Sequence, residues 1–281
     1  MATIDIRAVP HTYELTNPTQ SPDILIFIHG WLLSRHYWQP LIQRLSADYQ
    51  CLSYDLRGFG DSHLDSTQRK LISTYSLTAY AEDLATLIAR LNISTAWLIG
   101  HSLGGTIALH AAYKIFNVIK GVVCVNSGGG IYLKEEFHQF RSVGAQIIKF
   151  RPSWLPYLPF LGQIYTRTQV VTPLSRKWGQ QLLFDFVAAS YEAALGSLLE
   201  STTESEVHKL PEIVSELKQP VYFITGAKDK IMEPKYVRHL AGFHWMFEED
   251  GKNILEIPKC GHLSMLEKPD ILAAHIRSLL N

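Results

Sequence analysis

The sequence has few cysteines, no excess of either charge and no long apolar run. Its three cysteines, Cys51, Cys124 and Cys260, are too few and too scattered for a disulfide framework or a cysteine-rich zinc site. Its 26 basic and 26 acidic residues cancel, which argues against nucleic-acid binding and against electrostatic attachment to an anionic membrane. No stretch reaches the roughly 18 consecutive apolar residues that a membrane-spanning helix requires.

The composition is that of a chain with a sizeable core. Of its 281 residues, 47% are hydrophobic and 19% are charged, which excludes a disordered protein. The length fits two domains or one large α/β domain. Residues 1–7 contain no basic segment leading into an apolar stretch, so we expect no signal peptide. These features predict a soluble, cytoplasmic protein.

Short apolar runs alternate with helical patterns along most of the chain. Helices are predicted at residues 76–91, where apolar residues recur every three or four positions, at 103–116 and at 269–280. Because strands that are apolar throughout belong to sheets covered on both faces, the alternation predicts an α/β fold with a mostly parallel central sheet. Residues 3–15 supply one or two leading strands. The six predicted central strands are residues 23–28, 50–54, 96–100, 118–125, 221–225 and 253–257.

The alternation is interrupted between residues 127 and 211. This stretch contains a proline-punctuated run, residues 151–160, that no central strand tolerates, because proline lacks the backbone donor. Residues 182–199 have a helical pattern. We therefore expect a core domain of residues 1–126 and 212–281, with residues 127–211 as a mostly helical insertion entered through Gly128-Gly129-Gly130.

A possible nucleophile lies between a predicted strand and a predicted helix. Gly100-His101-Ser102-Leu103-Gly104 matches the pattern G-x-S-x-G, which in this context is a nucleophile elbow that raises the serine hydroxyl above the sheet edge. The flanking glycines are required because the turn brings backbone segments together too closely for a side chain.

A serine hydroxyl becomes a good nucleophile only when a base accepts its proton and an acid orients that base. Asp229 follows the strand at residues 221–225, and His262 follows the strand at residues 253–257. Carboxyl ends of parallel strands lie at one edge of the sheet. We therefore expect Ser102, Asp229 and His262 to form a catalytic triad.

Two backbone amides are candidates for the oxyanion hole. The N–H group of Leu103 starts the helix behind the serine, and the N–H group of Trp31 follows the His29-Gly30 turn after the first long strand. A tight turn closed by His29 is compatible with this role, since the turn aims the amide.

The chain resembles the α/β-hydrolase fold family over nearly its whole length. The resemblance implies that residues 127–211 form a cap, or lid, over the active site. It also implies that residues 57–62 are scaffold, and the serine at position 102 argues against dehalogenases and epoxide hydrolases, which carry aspartate there. The matching motifs are His29-Gly30-Trp31, Trp38, Asp55-x-Arg57-Gly58-x-Gly60-Asp61-Ser62, Gly100-His101-Ser102-Leu103-Gly104, Gly226-x-x-Asp229 with Pro234, and Gly261-His262.

The expected activity is hydrolysis of a small-molecule carboxylic ester through an acyl-enzyme, without a metal or organic cofactor. The same triad also serves carbon–carbon bond hydrolases and a menaquinone-pathway lyase, and a pocket for small polyanionic substrates should present several arginines. A non-catalytic receptor that keeps the fold is a third possibility. In the insertion, an apolar stretch either docks the insertion on the core or lines an apolar entrance; its members are Trp154, Leu155, Tyr157, Leu158, Phe160 and Leu161.

Overall fold

The structure, a computed structural model, describes residues 1–128, 134–248 and 251–280. Eight strands form one sheet in the order β1-β2-β4-β3-β5-β6-β7-β8, where β2 pairs antiparallel with β1 and β4, and all other neighbours are parallel. The strands are β1 (Ala2–Ile6), β2 (Val9–Leu15), β3 (Ile24–Ile28), β4 (Gln50–Tyr54), β5 (Ala96–His101), β6 (Ile119–Val125), β7 (Val221–Gly226) and β8 (Ile254–Ile257).

Helices cover both faces of this sheet, which confirms the predicted fold class. Those connecting or closing the sheet are α1 (Gln39–Leu45), α2 (Ser66–Leu71), α3 (Leu77–Arg90), α4 (Leu103–Lys114), α10 (Pro234–Ala241), α11 (Ser264–Glu267) and α12 (Pro269–Leu280). Those between β6 and β7 are α5 (Lys134–Lys149), α6 (Leu161–Arg167), α7 (Arg176–Ala188), α8 (Tyr191–Ser201) and α9 (Glu204–Glu216).

The predicted and observed boundaries differ most in the helical pattern at residues 182–199. That pattern belongs to two helices, α7 and α8, because Ser190 begins a new helix by accepting a hydrogen bond from the N–H group of Ala193. The leading residues form the antiparallel hairpin of β1 and β2. Gly129 and Gly130 of the predicted entry lie outside the described residues.

Strands that are apolar at every position contribute side chains to two hydrophobic cores, one on each face of the sheet. Along β3, the side chains of Ile26 and Ile28 belong to the cluster on one face of the sheet, and those of Leu25 and Phe27 belong to the cluster on the other. Because successive side chains of a strand point to opposite faces, both kinds of position must be apolar when helices cover both faces.

The α5–α9 segment is bonded directly to the loops at the carboxyl edge of the sheet. The indole Nε1 of Trp31 donates to the carbonyl of Ala194 at 2.9 Å, and the hydroxyl of Ser34 donates to the carboxylate of Asp185 at 2.8 Å. In the described part of the chain, no single helix is long and apolar enough to cross a membrane. Helices α7 and α8 reach that length and composition only when taken together, and they are bent by 92° relative to each other.

Asp185 makes the packing of α7 on the core sensitive to pH. Burial raises the pKa of this carboxyl to about 7, even though Ser34 donates a hydrogen bond that opposes the shift. The folded protein therefore retains a proton that the unfolded chain releases above about pH 4. The stabilising contribution of this proton is complete at low pH and is lost as the pH rises towards 7.

We expect Asp185→Asn to remove this pH dependence. The free energy of unfolding of the wild type, relative to that of Asp185→Asn, should fall between pH 4 and 7 by up to about 1.4 kcal/mol per pH unit. Above pH 7 the difference should stay constant. Urea denaturation of both proteins at pH 5 and pH 8 measures it. The same difference at both pH values would show that Asp185 does not retain the proton.

Candidate active site

Ser102 occupies a strained turn between β5 and α4. Its backbone angles are φ 52° and ψ −120°, a combination that residues other than glycine rarely adopt. A Cβ atom at Gly100 would lie 2.3 Å from the carbonyl oxygen of Gly104, and one at Gly104 would lie 2.3 Å from that of Ile28. Both glycines are therefore required by the packing of the turn against its neighbours, and the turn forces Ser102 into its unusual conformation.

Asp229 and His262 form a buried pair at the same edge of the sheet. The Nδ1 atom of His262 lies 2.8 Å from Oδ2 of Asp229. The other carboxylate oxygen accepts hydrogen bonds from the N–H groups of Ile231 and Met232, both at 2.9 Å. Burial opposes the charge, but the attraction to His262 and the hydrogen bonds outweigh it and hold the pKa of Asp229 below its ordinary value. The carboxylate therefore stays ionised and orients the imidazole.

Asn126 supports this pair, although no motif in the sequence points to it. Its Nδ2 atom donates to Oδ2 of Asp229 at 2.9 Å and to the carbonyl of Gly261 at 3.0 Å. The hydroxyl of Ser264 donates to its Oδ1 at 2.5 Å. The available signal was position: Asn126 directly follows β6, at the edge where the other site residues lie. Its φ of 49° suits asparagine, which adopts this conformation more readily than most residues.

His101, the second residue of the elbow motif, positions the loop that carries His262. Its Nε2 atom donates to the carbonyl of His262 at 2.9 Å, and the two rings lie 4.7 Å apart between centroids. Burial and the neighbouring His262 lower the pKa of His101 to about 3. His101 is therefore neutral near pH 7, and its ring donates this hydrogen bond without adding positive charge beside His262.

Trp31 and Leu103, the predicted oxyanion donors, line the cavity that also contains Ser102 and His262. His29 stabilises the preceding turn: its Nδ1 atom donates to the carbonyl of Gly30 at 2.8 Å, and its Nε2 atom accepts from the N–H group of Leu56 at 2.9 Å. Both ring nitrogens are thus engaged in holding the loop. The indole bond of Trp31 to α8 then fixes the same loop to the helical segment.

The cavity has a volume of about 350 Å³ and a mainly apolar lining. Among the described residues that line it, none is arginine or lysine, and Glu206 is the one carboxylate. Burial raises the pKa of Glu206. In residues 1–128, 134–248 and 251–280, no three histidine, cysteine or acidic side chains are grouped to hold a metal ion. From α5 to α9 the lining residues are Ile147, Tyr165, Thr168, Gln169, Leu182, Leu198, Ser201, Thr202, Glu206 and Leu210.

The proline-punctuated apolar stretch lies elsewhere. None of its six residues lines the cavity around Ser102. Trp154 is 53% exposed, and Phe160 is 69% exposed, so neither packs the segment on the core. The expectation of a docking contact is confirmed for Leu155, which packs against the core cluster, and is wrong for the exposed Trp154, Tyr157, Leu158 and Phe160. The pattern of apolar residues and prolines does not specify which way the turn faces.

The chain belongs to the α/β-hydrolase family, whose family model matches residues 25–275. It resembles a hydrolase from Pseudomonas aeruginosa PA01, with a TM-score of 0.77, 18% identity and coverage of 100% of this chain and 98% of that one. It also resembles the enol-lactonase of Burkholderia xenovorans LB400, with a TM-score of 0.75, 17% identity and 99% coverage of both chains.

Curated relatives are similar at low identity. The magnesium-chelatase 30 kDa subunit of Rhodobacter capsulatus is 29% identical over 76% of this chain and 73% of that protein. The pimeloyl-[acyl-carrier protein] methyl ester esterase of Neisseria meningitidis serogroup B is 23% identical over 90% of this chain and 91% of that protein. Protein PHYLLO of Arabidopsis thaliana is 31% identical over 46% of this chain, and this match spans 8% of that protein.

We expect the backbone strain at Ser102 to lower the free energy of unfolding of the protein. Ser102→Gly and Ser102→Ala both remove the hydroxyl, but only glycine relieves the positive φ. Ser102→Gly should therefore be more stable than Ser102→Ala by about 1 kcal/mol, after the entropic cost of glycine in the unfolded chain. Chemical denaturation measures both. Equal stability of the two variants would show that the turn is not strained.

Proposed function

We propose that the protein is a serine hydrolase that cleaves carboxylic esters through an acyl-enzyme. The observation that carries the proposal is the hydrogen bond between Asp229 and His262, whose imidazole lines the same cavity as Ser102 on its strained elbow. A base oriented by a buried acid, beside a hydroxyl held at the end of a strand, is the arrangement that activates serine.

In the proposed reaction, Ser102 Oγ attacks the ester carbonyl while Nε2 of His262 accepts its proton. The negative charge that develops on the carbonyl oxygen is stabilised by the N–H groups of Trp31 and Leu103. His262 then returns the proton to the departing alcohol. Water repeats these steps on the acyl-enzyme and releases the acid. Asp229 keeps its charge throughout and stabilises the imidazolium.

The lining of the cavity favours neutral esters over the second candidate, a lyase or carbon–carbon bond hydrolase acting on a small polyanion. Such a substrate needs cationic partners to replace its water, and the described lining contains neither arginine nor lysine. The similarity to an esterase and to an enol-lactonase supports ester chemistry. We propose that the α5–α9 segment acts as a cap, since it supplies one side of the cavity and contacts the Trp31 loop.

Loss of the nucleophile tests the proposal directly. We expect Ser102→Ala to reduce hydrolysis of p-nitrophenyl esters by 10⁴-fold or more, because only binding and oxyanion stabilisation remain. A serine-directed fluorophosphonate should label the wild type and not this variant. Ser53→Ala is the control, since Ser53 is a buried serine of β4 that does not line the cavity, and it should leave Ser102 labelled. Labelling of Ser102→Ala at the wild-type level would assign the nucleophile to another residue.

Substrate charge provides a second test. An apolar cavity with one carboxylate should prefer a neutral medium-chain ester, each buried methylene contributing about 0.8 kcal/mol, over a half-ester of a dicarboxylic acid of equal length. We expect Glu206→Gln to reduce this preference severalfold by raising kcat/KM for the anionic substrate only. Steady-state kinetics at pH 8 with both esters measures it. An unchanged ratio in Glu206→Gln would show that Glu206 does not contribute to selection.

A further inference from the structure

Exposed large hydrophobic side chains are concentrated in one part of the α5–α9 segment. Among the described residues, ten of the nineteen such side chains fall within residues 141–184. Scattered surface hydrophobics are ordinary, whereas a concentration of them marks an interaction surface. We define the aromatic patch as the exposed side chains Trp154, Tyr157, Leu158, Phe160, Ile164 and Phe184.

These side chains lie on adjoining elements. The ring of Tyr157 contacts the ring of Phe184 on α7 edge-on, with centroids 5.7 Å apart. A surface cavity of about 110 Å³ is lined by Tyr157, Leu158 and Phe160 together with Arg176. Arg176 therefore lies beside the aromatic patch, and the patch is separate from the cavity that contains Ser102.

Phe160 has a backbone conformation that is usually adopted by glycine. Its φ is 65°, in the left-handed region that bulky residues rarely enter. Its side chain is 69% exposed and so gains little from burial in the protein. Strained backbone of this kind clusters at functional sites.

The charge of this region complements an anionic surface. Residues 141–184 contain six basic residues and no acidic one, which leaves 20 basic and 26 acidic residues in the rest of the chain. Arg141 and Arg151 donate to backbone carbonyls. The remaining four cations are exposed: Lys149, Arg167, Arg176 and Lys177. The balanced total charge thus conceals a strongly cationic segment.

We propose that the aromatic patch and its cations dock the protein on the surface of an anionic lipid bilayer. Tryptophan and tyrosine favour the depth of the lipid headgroups, where the apolar part of the side chain contacts the acyl chains and its polar group contacts water. Exposed lysine and arginine add attraction to anionic lipids. Helix α6 carries Ile164 in the patch and Tyr165 in the lining of the Ser102 cavity. Docking therefore holds that cavity close to the lipid surface.

The test is co-sedimentation of the full chain with sucrose-loaded vesicles. The wild type should bind vesicles of phosphatidylcholine and phosphatidylglycerol at 70:30 more tightly than pure phosphatidylcholine, and added salt should weaken the binding. The double variant Trp154→Ser with Phe160→Gly should bind at least tenfold more weakly. Arg176→Gln and Lys177→Gln should each weaken binding about fivefold. Ser102→Ala should bind like the wild type, since docking does not depend on the proposed hydrolysis.

Two controls separate docking from folding. Phe160→Gly should unfold at the same or higher denaturant concentration than the wild type, because glycine relieves the positive φ. Trp245→Ser removes another exposed tryptophan, 61% exposed and outside residues 141–184, and should leave vesicle binding unchanged. The proposal is overturned by equal binding to both vesicle compositions, by wild-type binding of the double variant, or by a dimer in sedimentation velocity that the double variant disperses.

Discussion

A carboxylate buried away from water needs hydrogen-bond donors to remain charged, and at Asp229 the donors come from the ends of three strands. The backbone beyond β7 supplies the N–H groups of Ile231 and Met232, the residue after β6 supplies Asn126, and the loop after β8 supplies His262. Only adjacent strands running in one direction bring these three ends together. The charge of Asp229 therefore depends on the strand order, and the orientation of His262 depends on that charge.

The positions of Ser102 and His262 depend on close backbone packing as much as on polar contacts. Gly100 and Gly104 permit the approach of the elbow to its neighbours, and His101 holds the carbonyl of His262 from the same turn. One short motif therefore positions Ser102 and also supports the loop of His262. The favourable packing of this turn offsets the strain of Ser102, whose φ is 52°.

The α5–α9 segment has two distinct faces. Its inner face contacts the Trp31 loop through Ala194 and the Ser34 loop through Asp185, and it supplies apolar lining to the cavity. Its outer face carries the aromatic patch, which the core does not cover. The net charge of zero is a sum over the whole chain. It therefore gave no indication that residues 141–184 contain basic residues and no acidic ones.

Features that depend on local periodicity and on chain order could be predicted from the residues alone. Continuous apolar strands alternating with helices specify a sheet covered on both faces, and this predicted the fold class. The same reasoning predicted that Ser102, Asp229 and His262 lie at one edge of the sheet. Because strand ends and tight turns have local residue requirements, such as the glycines around Ser102, they can be recognised without knowledge of tertiary contacts.

Which distant side chains meet depends on tertiary packing and could not be predicted from local patterns. The contact of Asn126 with Asp229, the bond of His101 to the backbone of His262, and the burial of Asp185 join residues separated by many positions. The exposure of Trp154 and Phe160 was decided in the same way, because an apolar stretch without regular periodicity contains no information about which side of a turn is covered. Such contacts depend on how whole elements pack, and packing is a property of the assembled fold.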